Sequence, residues 1–257
     1  MVKIEKMNKN IEKKIMKLEK KNQHKRDKFI KFDERNHIYH YQNEEFKSVT
    51  TIIKSLFNDF NEKEILERLS LKNNKSVEDI KKDWDEQREI AIREGVKLHQ
   101  DIELCINDEN FENTSVEFDY FRNFVKDHYY LEPFRTEWKI FDENSKIAGT
   151  IDMCYRNSDG SLEIYDWKRC KSIVKENKYK KYAKVDFLKN FDDTNYNHYS
   201  LQLNMYKYIL ETKYKYKVNN LFIVCFHPNN KNCNYLLYQV PDMRNEIKKI
   251  IQWHTKK

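Results

Sequence analysis

The sequence predicts an α/β fold: a mainly helical first half, then a three-strand antiparallel meander, a helical crossover and a further buried strand. Three observations carry this. Residues 134–141, 147–155 and 162–169 are apolar runs of strand length separated by short links, the spacing of sequential antiparallel strands. Leu201-Gln202-Leu203-Asn204-Met205-Tyr206 then opens a helix, and Leu221 to Phe226 is unbroken apolar sequence, which reads as a crossover to a fully buried strand. Only three glycines and three prolines occur in 257 residues, so the elements are long and tight turns few.

Taken in order, residues 1–28 read as a charged helical arm. Ile4, Met7, Ile11, Ile15 and Leu18 recur at spacings of three and four amid eleven Lys/Arg and four acids, an apolar seam that suits docking on the body, with self-association or a protein partner as the alternative. Residues 29–257 read as one domain, its part 29–132 mainly helical and 133–257 the sheet core. Residues 37–41 and 46–49 suggest a small hairpin. Ser48, Thr50 or Thr51 caps a helix over 52–57. Helices follow over 62–71, 77–107 (with a kink at Gly95) and 115–130. After the meander, 170–197 is irregular and basic, 199–212 helical, 221–226 the buried strand, 235–240 an edge strand and 242–253 a closing helix.

The chemistry concentrates between Gly149 and Lys168. Asn157-Ser158-Asp159-Gly160 is a hairpin signal that lays Asp152 beside Asp166. Side chains alternate on a strand, so Asp166 and Lys168 share a face. Two close carboxylates repel unless a cation lies between them, and hard oxygen ligands suit Mg²⁺ or Mn²⁺. A lysine beside such a metal can orient a water and offset charge on a phosphorus. On the helix before the strands His99 and Glu103 lie four apart, as do Gln202 and Tyr206 on the helix after them.

In this order the residues resemble the PD-(D/E)xK nuclease superfamily, in its RecB-like exonuclease branch: Gly95, His99 and Glu103; Gly149 and Asp152; Asp166 and Lys168; Gln202 and Tyr206. The resemblance covers about residues 90–240. Ile151 stands where the proline that names the superfamily would be. The resemblance implies a restriction-endonuclease-like αβββαβ core with a mixed sheet. It also implies Asp152, Asp166, His99 and the backbone carbonyl of Trp167 as metal ligands, with Glu103 holding His99 or a metal-bound water. Lys168 would position the attacking water, and Gln202 and Tyr206 would hydrogen-bond Lys168 or a substrate phosphate. Glu137 resembles a recurrent glutamate of the family, although its sequence context favours a solvated strand face. Ser48 and Thr50 are candidate phosphate contacts, with a plain helix cap as the competing reading. The five cysteines lie far apart with no C-x-x-C pair, so no iron–sulfur cluster is expected.

The segment after Lys168 interleaves Lys171, Lys175, Lys178, Lys180, Lys181 and Lys184 with Tyr179 and Tyr182. Cations can track phosphates while rings stack on unpaired bases; a solvated loop is the bland alternative. A net charge of +7 and a pI near 8.9 suit a polyanion ligand. No apolar run is long enough for a membrane span, and cysteines without disulfide spacing point to an intracellular, cytoplasmic setting, a nuclear or viral replication compartment remaining open. The expectation is a metal-dependent DNA nuclease that prefers single strands or free ends and serves replication, repair or recombination. Its rivals are a structure-specific endonuclease, a non-catalytic nucleic-acid-binding subunit, and a protein scaffold that binds no metal.

Overall fold

A computed structural model of the chain describes residues 17–256. The elements run α1 (Lys17–Lys21), β1 (Ile30–Asp33), β2 (Ile38–Tyr41), β3 (Glu44–Ser48), α2 (Val49–Lys54), α3 (Glu62–Asn73), α4 (Val77–Ile106) and α5 (Val116–Asp127). After them come β4 (Glu132–Asp142), β5 (Ile147–Arg156), β6 (Leu162–Lys168), α6 (Asn195–Ile209), β7 (Val218–Cys225), β8 (Leu236–Gln239) and α7 (Arg244–Thr255). The fold is α/β with one mixed eight-stranded sheet.

β4, β5 and β6 form the expected antiparallel meander, and β7 runs parallel beside β6 after the crossover through α6. The turn between β5 and β6 closes with Gly160 N–H donating to the Asn157 carbonyl at 2.9 Å, and Gly160 takes φ +80°, a backbone region open to glycine. One joint was not foreseen. β1, β2 and β3 are themselves a meander, and β3 joins the main sheet in parallel through Lys47↔Ile147 and Ser48↔Ala148. The expected hairpin is thus two-thirds of a three-strand unit.

This joint shapes the centre of the molecule. β4 occupies one edge of β5 from Ile147 to Arg156; the other edge is shared by β3 at Ile147–Ala148 and β6 at Met153–Arg156. Residues 149–152 of that edge therefore pair with neither strand. Helices cover both sides. Met153, Tyr155, Tyr165 and Trp167 pack with α4 and α5, whereas Cys154, Leu162, Ile164 and Ile223 pack with α2, α6 and α7, as alternation along a strand requires. Trp167, Phe121 and Phe124 are 1%, 0% and 0% exposed, and burying side chains of this size stabilises the fold by roughly 1.5–3 kcal/mol each.

α4 runs unbroken through Gly95, where an added Cβ would meet nothing within 4 Å. Ser76 caps it, Leu98 and Ile102 bury its last third, and residues 86–93 are exposed. The arm reading falls largely outside the described residues, including Ile4, Met7, Ile11 and Ile15. The part within them docks on the body: Leu18 N–H donates to Asn107 Oδ1 at 3.1 Å and Asn22 Nδ2 to the Phe134 carbonyl at 2.7 Å. Among the described residues, no helix is long and apolar enough to cross a membrane.

Candidate active site

The β5–β6 ladder ends at Met153↔Tyr165, one step short of Asp152 and Asp166. There the strands part, and a side chain replaces the next backbone bond: Trp167 N–H donates to Asp152 Oδ2 at 2.8 Å. Beyond the end of the ladder sits the candidate site. From α4, His99 Nε2 lies 3.0 Å from the Trp167 carbonyl, which leaves Nδ1 facing Asp152 Oδ2 and Glu137 Oε1, each at 3.7 Å. Ligand atoms of His99, Glu137 and Asp152 all lie within 4.8 Å of one another, an arrangement able to hold a metal ion.

Glu137 corrects the sequence reading of it as a solvated strand residue. It stands between the pairs Thr136↔Met153 and Trp138↔Ile151, opposite Asp152, with φ +43°. A left-handed conformation is costly for a residue with a Cβ, and here it accompanies a carboxylate brought to His99. The signal for it in the sequence was the resemblance already noted for this glutamate, not its spacing.

Asp166, 1% exposed, is held from two sides. Gln202 Nε2 on α6 donates to Oδ1 at 3.3 Å, and Lys168 Nζ lies 2.7 Å from Oδ2, which nevertheless receives no aligned hydrogen bond. Gln202 also donates to the Tyr206 hydroxyl at 3.1 Å. Gln202, expected to bond Lys168 or a substrate phosphate, thus bonds Asp166 and Tyr206, while Lys168 Nζ lies 4.6 Å from the Tyr199 ring centroid. Tyr206 fixes a second identity: a Cβ on Gly149 would come within 2.5 Å of its Cε1. Glu103 does not hold His99. It turns to β4, where Thr136 Oγ1 donates to it at 3.3 Å.

Burial raises the Asp166 carboxyl to about 6; Lys168 opposes the rise and Asp152 adds to it. Burial likewise holds Asp152 above the usual carboxylate range against the pull of His99 and Lys168. For His99 burial alone would lower the imidazole, but the Asp152 and Glu137 carboxylates outweigh it and carry it up to about 9. Burial would also lower Lys168, yet Asp166 and Asp152 keep its ammonium above the ordinary lysine range. Glu103 rises to about 7, through burial and then the nearby Glu137 charge. The site is a nest of acids balanced by two cations.

Of the proposed nucleic-acid contacts, Ser48 is a cap. It is 8% exposed, accepts from Thr51 N at 3.0 Å and bonds the Thr50 and Thr51 hydroxyls. Thr50 is exposed beside it. Lys171, Lys175, Lys178, Lys180, Lys181 and Lys184 are all exposed, as are Tyr179 and Tyr182. Their segment is irregular yet anchored: Lys184 N–H donates to the Leu56 carbonyl, Asn177 N–H to Asp192 Oδ2, and Asn195 Nδ2 to the Ser172 carbonyl. Lys175 Nζ sits 4.8 Å from the Tyr196 ring centroid. Cys170 and Cys225, distant in sequence, bring their sulfurs 3.4 Å apart.

No protein-family model matches the chain, and no curated protein matches it. Among solved structures, one described as the crystal structure of SSO0001 is similar at 14% identity and a TM-score of 0.35, over 84% of this chain and 78% of that one. Likeness at that level carries no argument.

Proposed function

We propose that the chain is a divalent-metal-dependent deoxyribonuclease of the PD-(D/E)xK type, in the RecB-like branch, acting as an exonuclease on single strands or free ends. The carrying observation is the convergence of His99, Glu137 and Asp152 beside the Asp166–Lys168 pair, where two strands separate. The donor set fits the ion: carboxylate oxygens suit Mg²⁺ or Mn²⁺, and an imidazole tilts the choice toward Mn²⁺. Asp166 Oδ2, buried without an aligned hydrogen bond, supplies a further oxygen. Held there, the ion would polarise a phosphate oxygen and make a bound water more acidic.

The chain's own residues do the rest. The Trp167 carbonyl, within hydrogen-bonding distance of His99 Nε2, orients the ring so that Nδ1 faces the carboxylates, the outer contact that metal-bound histidines commonly make. Gln202 pins one oxygen of Asp166. Lys168, kept cationic, is placed to orient a water and to offset charge growing on the phosphoryl oxygens. The Trp167 carbonyl, expected as a ligand, is engaged by His99 instead.

Preference for single strands is supported by the exposed lysines and tyrosines that begin three residues after Lys168. The test is linear against covalently closed circular single-stranded DNA, each with Mn²⁺ and with EDTA. Degradation of the linear strand alone, only with metal, is expected. Efficient cutting of circles would favour the structure-specific endonuclease, and binding without cutting the non-catalytic subunit.

A further inference from the structure

Thr150 and Asp152 lie two apart on β5 and so share a face by alternation. Thr150 lies on the stretch whose edge pairs with neither β3 nor β6, so its half-buried side chain stands two residues, about 7 Å, from the metal-ligand candidate Asp152. Among the described residues its hydroxyl has one partner, the Tyr39 hydroxyl at 2.8 Å. Tyr39 comes from β2, two strands away through β3, and is 5% exposed.

Proton counting decides what this pair can do. Two hydroxyls carry two protons and their mutual bond uses one. Either hydroxyl can donate in this bond. A buried tyrosine hydroxyl needs its partner, and the phenol, the more acidic of the two, is the better donor, so we assign it as donating to Thr150 Oγ1. The Thr150 proton is then left over, on the more exposed member of the pair. A donor without a protein acceptor, beside a site read as cleaving a polyanion, suits a phosphate oxygen.

We propose that Thr150, oriented by Tyr39, donates a hydrogen bond to a backbone phosphate adjacent to the scissile one, and so sets the register of the strand at the metal centre. This rests on the nuclease reading above. It gives the N-terminal meander a part in substrate binding, through Tyr39 acting as a positioning residue rather than a catalytic one.

The test uses the full chain and single-stranded oligonucleotides in which one linkage at a time is a neutral methylphosphonate. Binding is measured in a Lys168→Ala background and cleavage in the otherwise native protein. In the native sequence at position 150, one linkage next to the cut site should be sensitive to neutralisation. Thr150→Val should weaken binding about tenfold, as loss of a hydrogen bond to a charged group does, and that linkage should become insensitive. Thr150→Ser should restore the sensitivity, and Tyr39→Phe should weaken it. In cleavage, Thr150→Val should raise KM more than it lowers kcat.

An unchanged linkage profile in Thr150→Val, with the native protein still cutting DNA, would overturn this inference alone. A native protein that neither binds nor cuts DNA would overturn the nuclease reading and this with it. A profile restored equally by Thr150→Ala would assign the effect to packing and also defeat the proposal.

Discussion

Trp167 N–H donates to Asp152 Oδ2 at 2.8 Å. This bond ties a candidate ligand to the backbone between Asp166 and Lys168 and so joins the two halves of the site. Asp152→Asn should keep an oxygen for Trp167 while removing the charge. We expect cleavage to fall by at least a hundredfold and the fold to survive, with a melting temperature in EDTA equal to or above the native value, because acid–acid repulsion is relieved. Near-native turnover would remove Asp152 from the chemistry.

Stability in EDTA should fall as pH rises from about 5 to 9. The Asp166 carboxyl, raised to about 6, and Glu103, raised to about 7, favour the protonated state. The stability tied to their neutral forms is complete at low pH and lost as pH passes those values. The His99 imidazole, raised to about 9, stabilises the fold below its ordinary value, and this is lost as pH passes 9. All three act in one direction and outweigh the smaller opposing shifts of His24, His198 and His227, whose imidazoles burial lowers, so a decline of several degrees is expected. Saturating Mn²⁺ should reverse the trend, since metal competes with protons for the same atoms. A melting temperature that climbs with pH in EDTA would contradict this electrostatic account.

Gly149→Ala should destabilise by about 1–3 kcal/mol, the usual cost of forcing a methyl into a packed interior. The new Cβ would meet Tyr206 Cε1 at 2.5 Å and displace the ring whose hydroxyl accepts from Gln202. Tyr206→Leu clears that space, so the double variant should lose less than the sum of the singles. Additive losses measured by urea unfolding would show that the two residues do not clash.

Much of this was legible because it is local. The meander needs only three apolar runs and an Asp-Gly turn, and Gln202 and Tyr206 are neighbours on any helix. β1 escaped because Ile30-Lys31-Phe32-Asp33 is short and adjoins a lysine-rich arm. The parallel β3–β5 joint escaped because it unites residues about a hundred positions apart with only two register pairs, for which no sequence period exists. Glu137 was misplaced because alternation assigns a face, whereas its left-handed backbone sets its aim. Gln202 took Asp166 as its partner rather than Lys168, a choice of rotamer that spacing cannot specify.

Replacing Lys171, Lys175, Lys178 and Lys180 together by glutamine should weaken single-strand binding and flatten its salt dependence. Every phosphate that a lysine no longer neutralises lowers the log–log slope by roughly 0.7. These side chains are exposed on a segment tied at both ends, so the fold should not change. An unaltered slope would make the segment a bystander.

The proposed role of Asp166 and Lys168 is metal-dependent phosphodiester hydrolysis. Its most direct test is the single-turnover cleavage rate of end-labelled linear single-stranded DNA with Mn²⁺, for the native chain, Asp166→Asn and Lys168→Ala, each checked for a native-like melting curve. Cleavage by the native chain that EDTA abolishes is expected, with a loss of at least a thousandfold in both folded variants. Folded variants that cut at the native rate, or a native chain that cuts equally well in EDTA, would contradict it.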